Sequence, residues 1–176
     1  RIQIDSLNNF NISKQYLENL LFQKLDYLKD KNIIELGSGA GRFTEHIVKY
    51  AKECVTVDLS SAIFYNVSNK EKNVVLIKAD FIKLEPKEKF DIAICRGVLQ
   101  HTPNPSKYLI KLFDFVKKDG EVFFDIYPMP KIGLLHPKYI FWRPLLKKLF
   151  TYERFEIYLT KNIKNLLKYK RIVKKI

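Results

Sequence analysis

The stretch IIELGSGAGRFTEHI, Ile33 to Ile47, reads as a buried strand, a turn with glycines at every second position, and the start of a helix. A strand feeding a glycine turn and then a helix builds a nucleotide cradle, because glycines let the backbone approach a ligand with no Cβ in the way. The spacing narrows the ligand. A dinucleotide turn follows G-x-G-x-x-G, with its third glycine reserved for close helix packing. Here the sixth position is Arg42, a bulky cation, and the glycines run Gly37, Gly39 and Gly41. The lysine followed by Ser or Thr that marks a phosphate loop is absent as well.

Outward from this turn, strands alternate with helices. The opening residues to Asn9 read as polar and turn-like. Ser13 stands where it would cap a helix to about Tyr27, with Tyr16, Leu17, Leu20, Leu21 and Leu25 on one face. Asn32 to Leu36 is the first strand. A helix is expected from Thr44 to Lys52, with Ile47, Val48 and Ala51 inward. CVTVDLS is a second strand ending at Asp58, followed by a short helix around Ser60 to Asn69. NVVLIKAD is a third strand ending at Asp80, and Phe90 to Cys95 is a fourth. NPSKYLIKLFDFVKKDG has the grammar of a complete helix, capped by Asn104, opened by Pro105 and stopped by Gly120. EVFFDIY is a fifth strand. This alternation predicts an α/β fold, a Rossmann-like doubly wound parallel sheet in the order 3-2-1-4-5, with helices on both faces and right-handed crossovers.

After Tyr127 the pattern changes to a loop with Pro128, Pro130 and Pro137, and then to basic helical stretches. Residues 1–127 are therefore expected to form the core, and 128–176 a basic helical extension. The charge is divided the same way. Of the net +13, residues 128–176 carry 13 Lys/Arg against Glu153 and Glu156, a net +11, whereas residues 1–127 carry 19 against 17, a net +2.

Composition bounds the class. A chain of 176 residues with 47% hydrophobic and 14% aromatic content suits one globular domain. Cys54 and Cys95 sit in apolar, strand-like runs and read as buried reduced thiols, which fits a cytoplasmic setting. No cysteine or histidine spacing suggests a metal. No run reaches the roughly 18 apolar residues of a membrane helix. No leader segment is readable, and the chain opens at Arg1.

The pattern E-x-G-x-G-x-G at Glu35, Gly37, Gly39 and Gly41 resembles motif I of the class I S-adenosylmethionine-dependent methyltransferases. Further matches follow in order. Asp58 and Asp80 end strands two and three. RGVLQHTPNP, Arg96 to Pro105, is similar to the segment after strand four in the ubiquinone/menaquinone-biosynthesis type and its small-molecule relatives, and VKKDGEVFF to the family's approach to strand five. The resemblance covers about Ile33 to Tyr127. It implies S-adenosyl-L-methionine as cofactor. Glu35 would act near its methionine end, with Gly37, Ser38, Gly39 and Gly41 lying along that moiety. Asp58, with Leu59, would hold the ribose hydroxyls. Asp80 would meet the adenine amino group, Phe81 would flank the ring, and Arg96 would stand beside the cofactor.

Elementary chemistry is compatible. This cofactor has no pyrophosphate; its charged end is an amino acid and a sulfonium, which suit a backbone-lined gap with an acid. A carboxylate accepts two hydroxyl hydrogen bonds well, although nicotinamide enzymes share that acid. Competing structural readings stay open: Asp58 as a helix cap, with Ser60 or Ser61 as alternatives; Asp80 as a solvated turn acid; Arg42 in a surface ion pair or stacked at the pocket rim. His101 is the candidate catalytic residue, since a neutral imidazole takes a proton from a hydroxyl nucleophile. Packing or capping of its loop is the competing role. His46 and His136 default to structure.

The resemblance implies methyl transfer to a small-molecule or glycan-like acceptor, at oxygen. The leading QIDSLNNFNIS and the trailing YPMPKIGLLHPKYIFWRPLLKKL are similar to a bacterial subgroup associated with surface-polysaccharide genes. Two alternatives remain: an RNA methyltransferase using the basic tail, and a non-catalytic nucleotide-binding scaffold. Base methylation is disfavoured, because CRGV stands where an (N/D/S)-P-P-(Y/F) motif would follow strand four, and the proline-cysteine pair is missing. The tail reads as a solvated face, a peripheral membrane contact through 141–176, or a grip on phosphates. Its apolar stripe, Ile163, Leu166, Leu167, Ile172, Val173 and Ile176, calls for cover from the core, a second copy in a homodimer, or lipid. Strands six and seven of the family are not readable here, which leaves a fragment or a replaced sheet edge.

Overall fold

The protein is described by a computed structural model covering residues 4–126. The proline loop with His136 and the basic stretch read above lie outside the described residues. The strands are β1 (Asn32–Leu36), β2 (Glu53–Asp58), β3 (Val74–Lys78), β4 (Phe90–Cys95) and β5 (Val116–Phe124). They form one five-stranded sheet in the order β3-β2-β1-β4-β5, and every pairing is parallel. This is the topology expected from the sequence.

Apolar side chains pack on both faces of the sheet, which is why β4 carries the unbroken apolar run Ile92–Cys95 rather than an alternating pattern. Ile33, Cys54, Ile92 and Ile94 enter one cluster, under α2 (Ile12–Leu21) and α3 (Thr44–Ile47). Ile34, Val57, Ala93 and Cys95 enter the other, against Tyr108 and Leu112 of α4 (Pro105–Phe113). Neighbouring strand residues point to opposite faces, as the pleat requires. Both cysteines are free and buried, and burial pushes both thiols up, Cys95 to about 12. Among the described residues no helix is long and apolar enough to cross a membrane.

Five local expectations are corrected. The opening residues are not a plain polar turn: α1 (Asp5–Asn8) forms there and buries Asp5. α2 ends at Leu21, not near Tyr27, because Phe22 takes the left-handed conformation at φ 54°. A 3-10 turn, Leu25–Leu28, then keeps Leu25 and Leu28 on the buried side. Ser13 is not the cap. It lies inside α2, and its amide and that of Lys14 donate to Asp5 Oδ2 at 2.8 and 3.1 Å, so a distant carboxylate caps the helix. The helix after the glycine turn stops at Ile47, short of Lys52; there the chain must turn into β2, and Lys52 N already donates to Lys31 O.

The last correction concerns Gly120. α4 ends at Phe113 and the strand begins at Val116, so Gly120 lies within β5 and ends no helix. The β4–β5 register passes from Phe90↔Val116 to Ile92↔Glu121, so the irregularity falls on 117–120. A Cβ at Gly120 would meet Val116 Cβ at 2.9 Å, Lys117 N at 3.0 Å and the Asp91 carbonyl at 3.1 Å, which is a sound reason for glycine there.

Candidate functional site

The carboxyl ends of β1 to β4 converge on a cleft of about 260 Å³, where ligands bind in sheets of this kind. Gly37 follows β1, Asp58 with Leu59 ends β2, Asp80 with Phe81 follows β3, and His101 lies in the loop after β4; all line this cleft. Five of the sequence-derived cofactor positions and the candidate base are thus brought together. Glu35, Ser38, Gly39, Gly41 and Arg96 do not line it.

Close packing explains the glycine turn. Gly37 has φ +86°, and a Cβ there would overlap the Val98 side chain; Gly41 has φ +89°, and a Cβ would overlap the Asn66 amide. A Cβ at Gly39 would have no neighbour within 4 Å, so this part of the turn faces open space. Beside it Ser38 Oγ is buried with no hydrogen-bond partner. An open backbone cradle with an orphaned hydroxyl suits a polar ligand group resting on the turn.

Below the turn, Glu35 is 3% exposed. Thr44 Oγ1 donates to Glu35 Oε2 at 2.6 Å and accepts from Asn66 Nδ2 at 3.1 Å. Burial raises the Glu35 carboxyl from 4.5 to about 7, an effect opposed by the Thr44 hydrogen bond and reinforced by the Asp58 charge. A carboxyl at that value is ready to ionise against a cation.

Asp58 is deeply engaged. One oxygen accepts the Gly39 amide at 2.7 Å, and the other accepts Ser60 N at 2.8 Å and Ser60 Oγ at 2.6 Å. Ser60 Oγ in turn accepts from Ala62 N, so Ser60 caps the following 3-10 turn, Ser61–Tyr65. Asp80 Oδ1 caps the next one, Phe81–Lys83, through Ile82 N, and both Asp80 oxygens accept the Tyr108 hydroxyl at 3.0 Å. His101 lines the cleft, and its amide closes the loop onto Val98 O at 2.8 Å.

Arg96 and Arg42 stand together elsewhere. Arg96 pairs with Asp125 at 3.2 Å and donates to Tyr16 O. Both guanidinium groups lie within 5.5 Å of the Tyr16 ring and 5.2 Å of the Phe43 ring. Burial, then the charge of Arg96, holds Arg42 below its usual range. Arg42 Nε also donates to Ser13 Oγ at 3.1 Å. The arginines therefore clamp α2 onto the start of α3.

Several residues escaped the sequence reading. Thr44, Asn66 and Tyr108 owe their roles to partners distant in the chain. Both amide atoms of Gln100 are buried without a partner, and a loop glutamine carries no such signal. Asp5, Glu45 and His46 gather with their polar atoms within 4.8 Å of one another. Their lone pairs serve the backbone: Glu45 takes the amides of Asp5 and Ser6, and Asp5 takes those of Ser13 and Lys14 together with His46 Nε2. The arrangement is a capping network, in keeping with the structural role expected of His46.

The profile of a family described as a methyltransferase domain matches residues 11–159. The chain belongs to this methyltransferase-domain family. Among sequence relatives, this methyltransferase-domain chain is 27% identical over 103 residues to the ubiquinone biosynthesis O-methyltransferase of Stutzerimonas stutzeri, covering 55% of this chain and 44% of that protein. It is 28% identical over 115 residues to the protein of the same description from Pseudomonas entomophila, covering 61% and 50%. The chain thus spans about half the length of the curated relatives it matches. In fold it is similar to a solved chain from Bacillus halodurans, with a TM-score of 0.57 and 21% identity over 65% of this chain and 52% of that one. The N-methyltransferase NodS of Bradyrhizobium japonicum, solved with S-adenosyl-L-homocysteine, gives a TM-score of 0.55 and 18% identity over 65% and 59%. At such identities the likeness is one of fold.

Proposed function

We propose that this chain is the core of a class I methyltransferase that binds S-adenosylmethionine and methylates a small-molecule hydroxyl. The observation that carries the reading is the convergence of Gly37, Asp58, Asp80 and Phe81 on one cleft at the strand ends, with an open backbone turn beside it. Bound there, the cofactor supplies a methyl group activated by its sulfonium.

The chain's own residues would divide the work. Asp58 takes ribose hydroxyls by exchanging the exposed Ser60 hydroxyl for a ligand donor. Asp80 and Phe81 hold the base. The turn from Gly37 to Gly41 and the orphaned Ser38 hydroxyl receive the amino-acid end, and Glu35 favours its amine once ionised. Arg96 acts at one remove, by fixing α2 beside the turn. His101 is the imidazole of the cleft that can hold the proton an acceptor hydroxyl gives up. Positioning supplies much of the rate in such a displacement. A hydroxyl acceptor follows the O-methyltransferase relatives; a glycan-like acceptor is the finer form suggested by the flanking segments.

Calorimetry with S-adenosylhomocysteine and with NAD tests the reading. Binding of the first and not the second is expected; the reverse overturns it.

A further inference from the structure

We propose that Tyr108 is a positioning residue that sets Asp80 to accept a purine 6-amino group and to refuse a 6-oxo group. The proposal rests on the cofactor reading above. Asn104 opens α4 by accepting the Lys107 amide at 3.0 Å. Tyr108 falls one turn on, its amide on Asn104 O, and its side chain reaches the end of β3, 28 residues back in the chain. The hydroxyl lies 3.0 Å from each Asp80 oxygen. Its ring meets Phe81 edge-on, with centroids 5.0 Å apart at 88°, and all three residues line the cleft.

The chemistry follows from counting protons. A tyrosine hydroxyl has one proton, and here it is shared across the carboxylate. Tyr108 therefore has none to offer a ligand, and Asp80, also held by the Ile82 amide at 3.3 Å, faces the cleft as an acceptor. What meets Asp80 from the cleft must donate. The 6-amino group of adenine does; the 6-oxo group of hypoxanthine presents a lone pair to a carboxylate and is repelled. Burial and the Asp80 hydrogen bond push the Tyr108 hydroxyl up, so it stays protonated across the neutral range.

The experiment compares S-adenosylhomocysteine with S-inosylhomocysteine by calorimetry on the full chain. The wild type is expected to prefer the adenosine compound by at least about tenfold, the usual scale of a charged hydrogen bond lost. Tyr108→Phe keeps the ring but frees Asp80, and the preference is expected to shrink to within about threefold, chiefly through weaker adenosine binding. A Tyr108→Phe protein that binds both compounds more weakly but keeps the ratio overturns the proposal, because Tyr108 then only packs the site. A wild type that binds both equally overturns it while leaving the cofactor reading intact; a wild type that binds neither overturns both. Asp80→Asn gives an independent arm should Tyr108→Phe fold poorly. Its amide offers a donor, so the ratio should fall toward one, and an unchanged ratio counts against the proposal.

Discussion

Asp58 Oδ2 accepts the Gly39 amide at 2.7 Å, joining the end of β2 to the glycine turn after β1. The same carboxylate thus holds the turn open and is proposed to receive the ribose. Asp58→Ala should weaken S-adenosylhomocysteine binding at least about tenfold, from a charged hydrogen bond of about 1.5–3 kcal/mol. It should also lower stability by about 1 kcal/mol, because Gly39 and Ser60 lose their acceptor. Calorimetry and urea melts read the two effects separately; unchanged affinity in a folded variant would make Asp58 a turn residue alone.

Glu35 predicts a pH dependence of stability. Its carboxyl is raised from 4.5 to about 7 in the folded state, so the native protein binds the proton more tightly than the unfolded chain. The stabilisation is therefore complete below about 4.5 and is lost as pH rises through about 7. Relative to Glu35→Gln, the wild type should lose about 3 kcal/mol across that window. Chemical denaturation of both proteins at several pH values checks this, and parallel curves would sink it. Binding of the ligand's ammonium group should strengthen over the same range in the wild type only.

Gly37 and Gly39 should respond differently to alanine. At Gly37 the new methyl would overlap Val98, so overpacking adds about 1–3 kcal/mol to the backbone strain. At Gly39, with φ +54° and open space, only the left-handed backbone penalty of about 1–2 kcal/mol applies. The melting order Gly39→Ala above Gly37→Ala is the expected result, and pairing Gly37→Ala with Val98→Ala should recover part of the difference.

Asp5 should matter although it does not line the cleft. Asp5→Ala removes the acceptor for two α2 amides and the partner of His46, and a lost cap alone costs about 1 kcal/mol. With α2 loosened, Tyr16 should leave the Arg96 guanidinium, now 4.9 Å from its ring. A lower melting temperature with faster amide exchange in α2 is expected; an unaltered melt would show the cap to be idle.

The strand alternation and its connections were legible in the sequence because they rest on short-range rules. Asn32–Leu36 and Phe90–Cys95 are apolar runs long enough for one buried strand, and Asn104–Pro105 is a local capping signal. Glycine spacing marked the turn, and acids at strand ends marked Asp58 and Asp80. The extent of each helix was not local. α2 stops where Phe22 must turn the chain toward β1, and Gly120 is required by the crowding of Val116, Lys117 and the Asp91 carbonyl at the irregular β4–β5 register, not by a helix end. What holds the site together was equally invisible: Asp80 with Tyr108, Glu35 with Thr44 and Asn66, Arg96 with Tyr16 and Asp125. The sequence by itself determined which chemical groups stand at the strand ends, because strand and turn propensities act over a few residues. Only the tertiary structure decided which of them share a cleft and which are buried beneath it, because burial and hydrogen-bond partners depend on chain segments tens of residues apart.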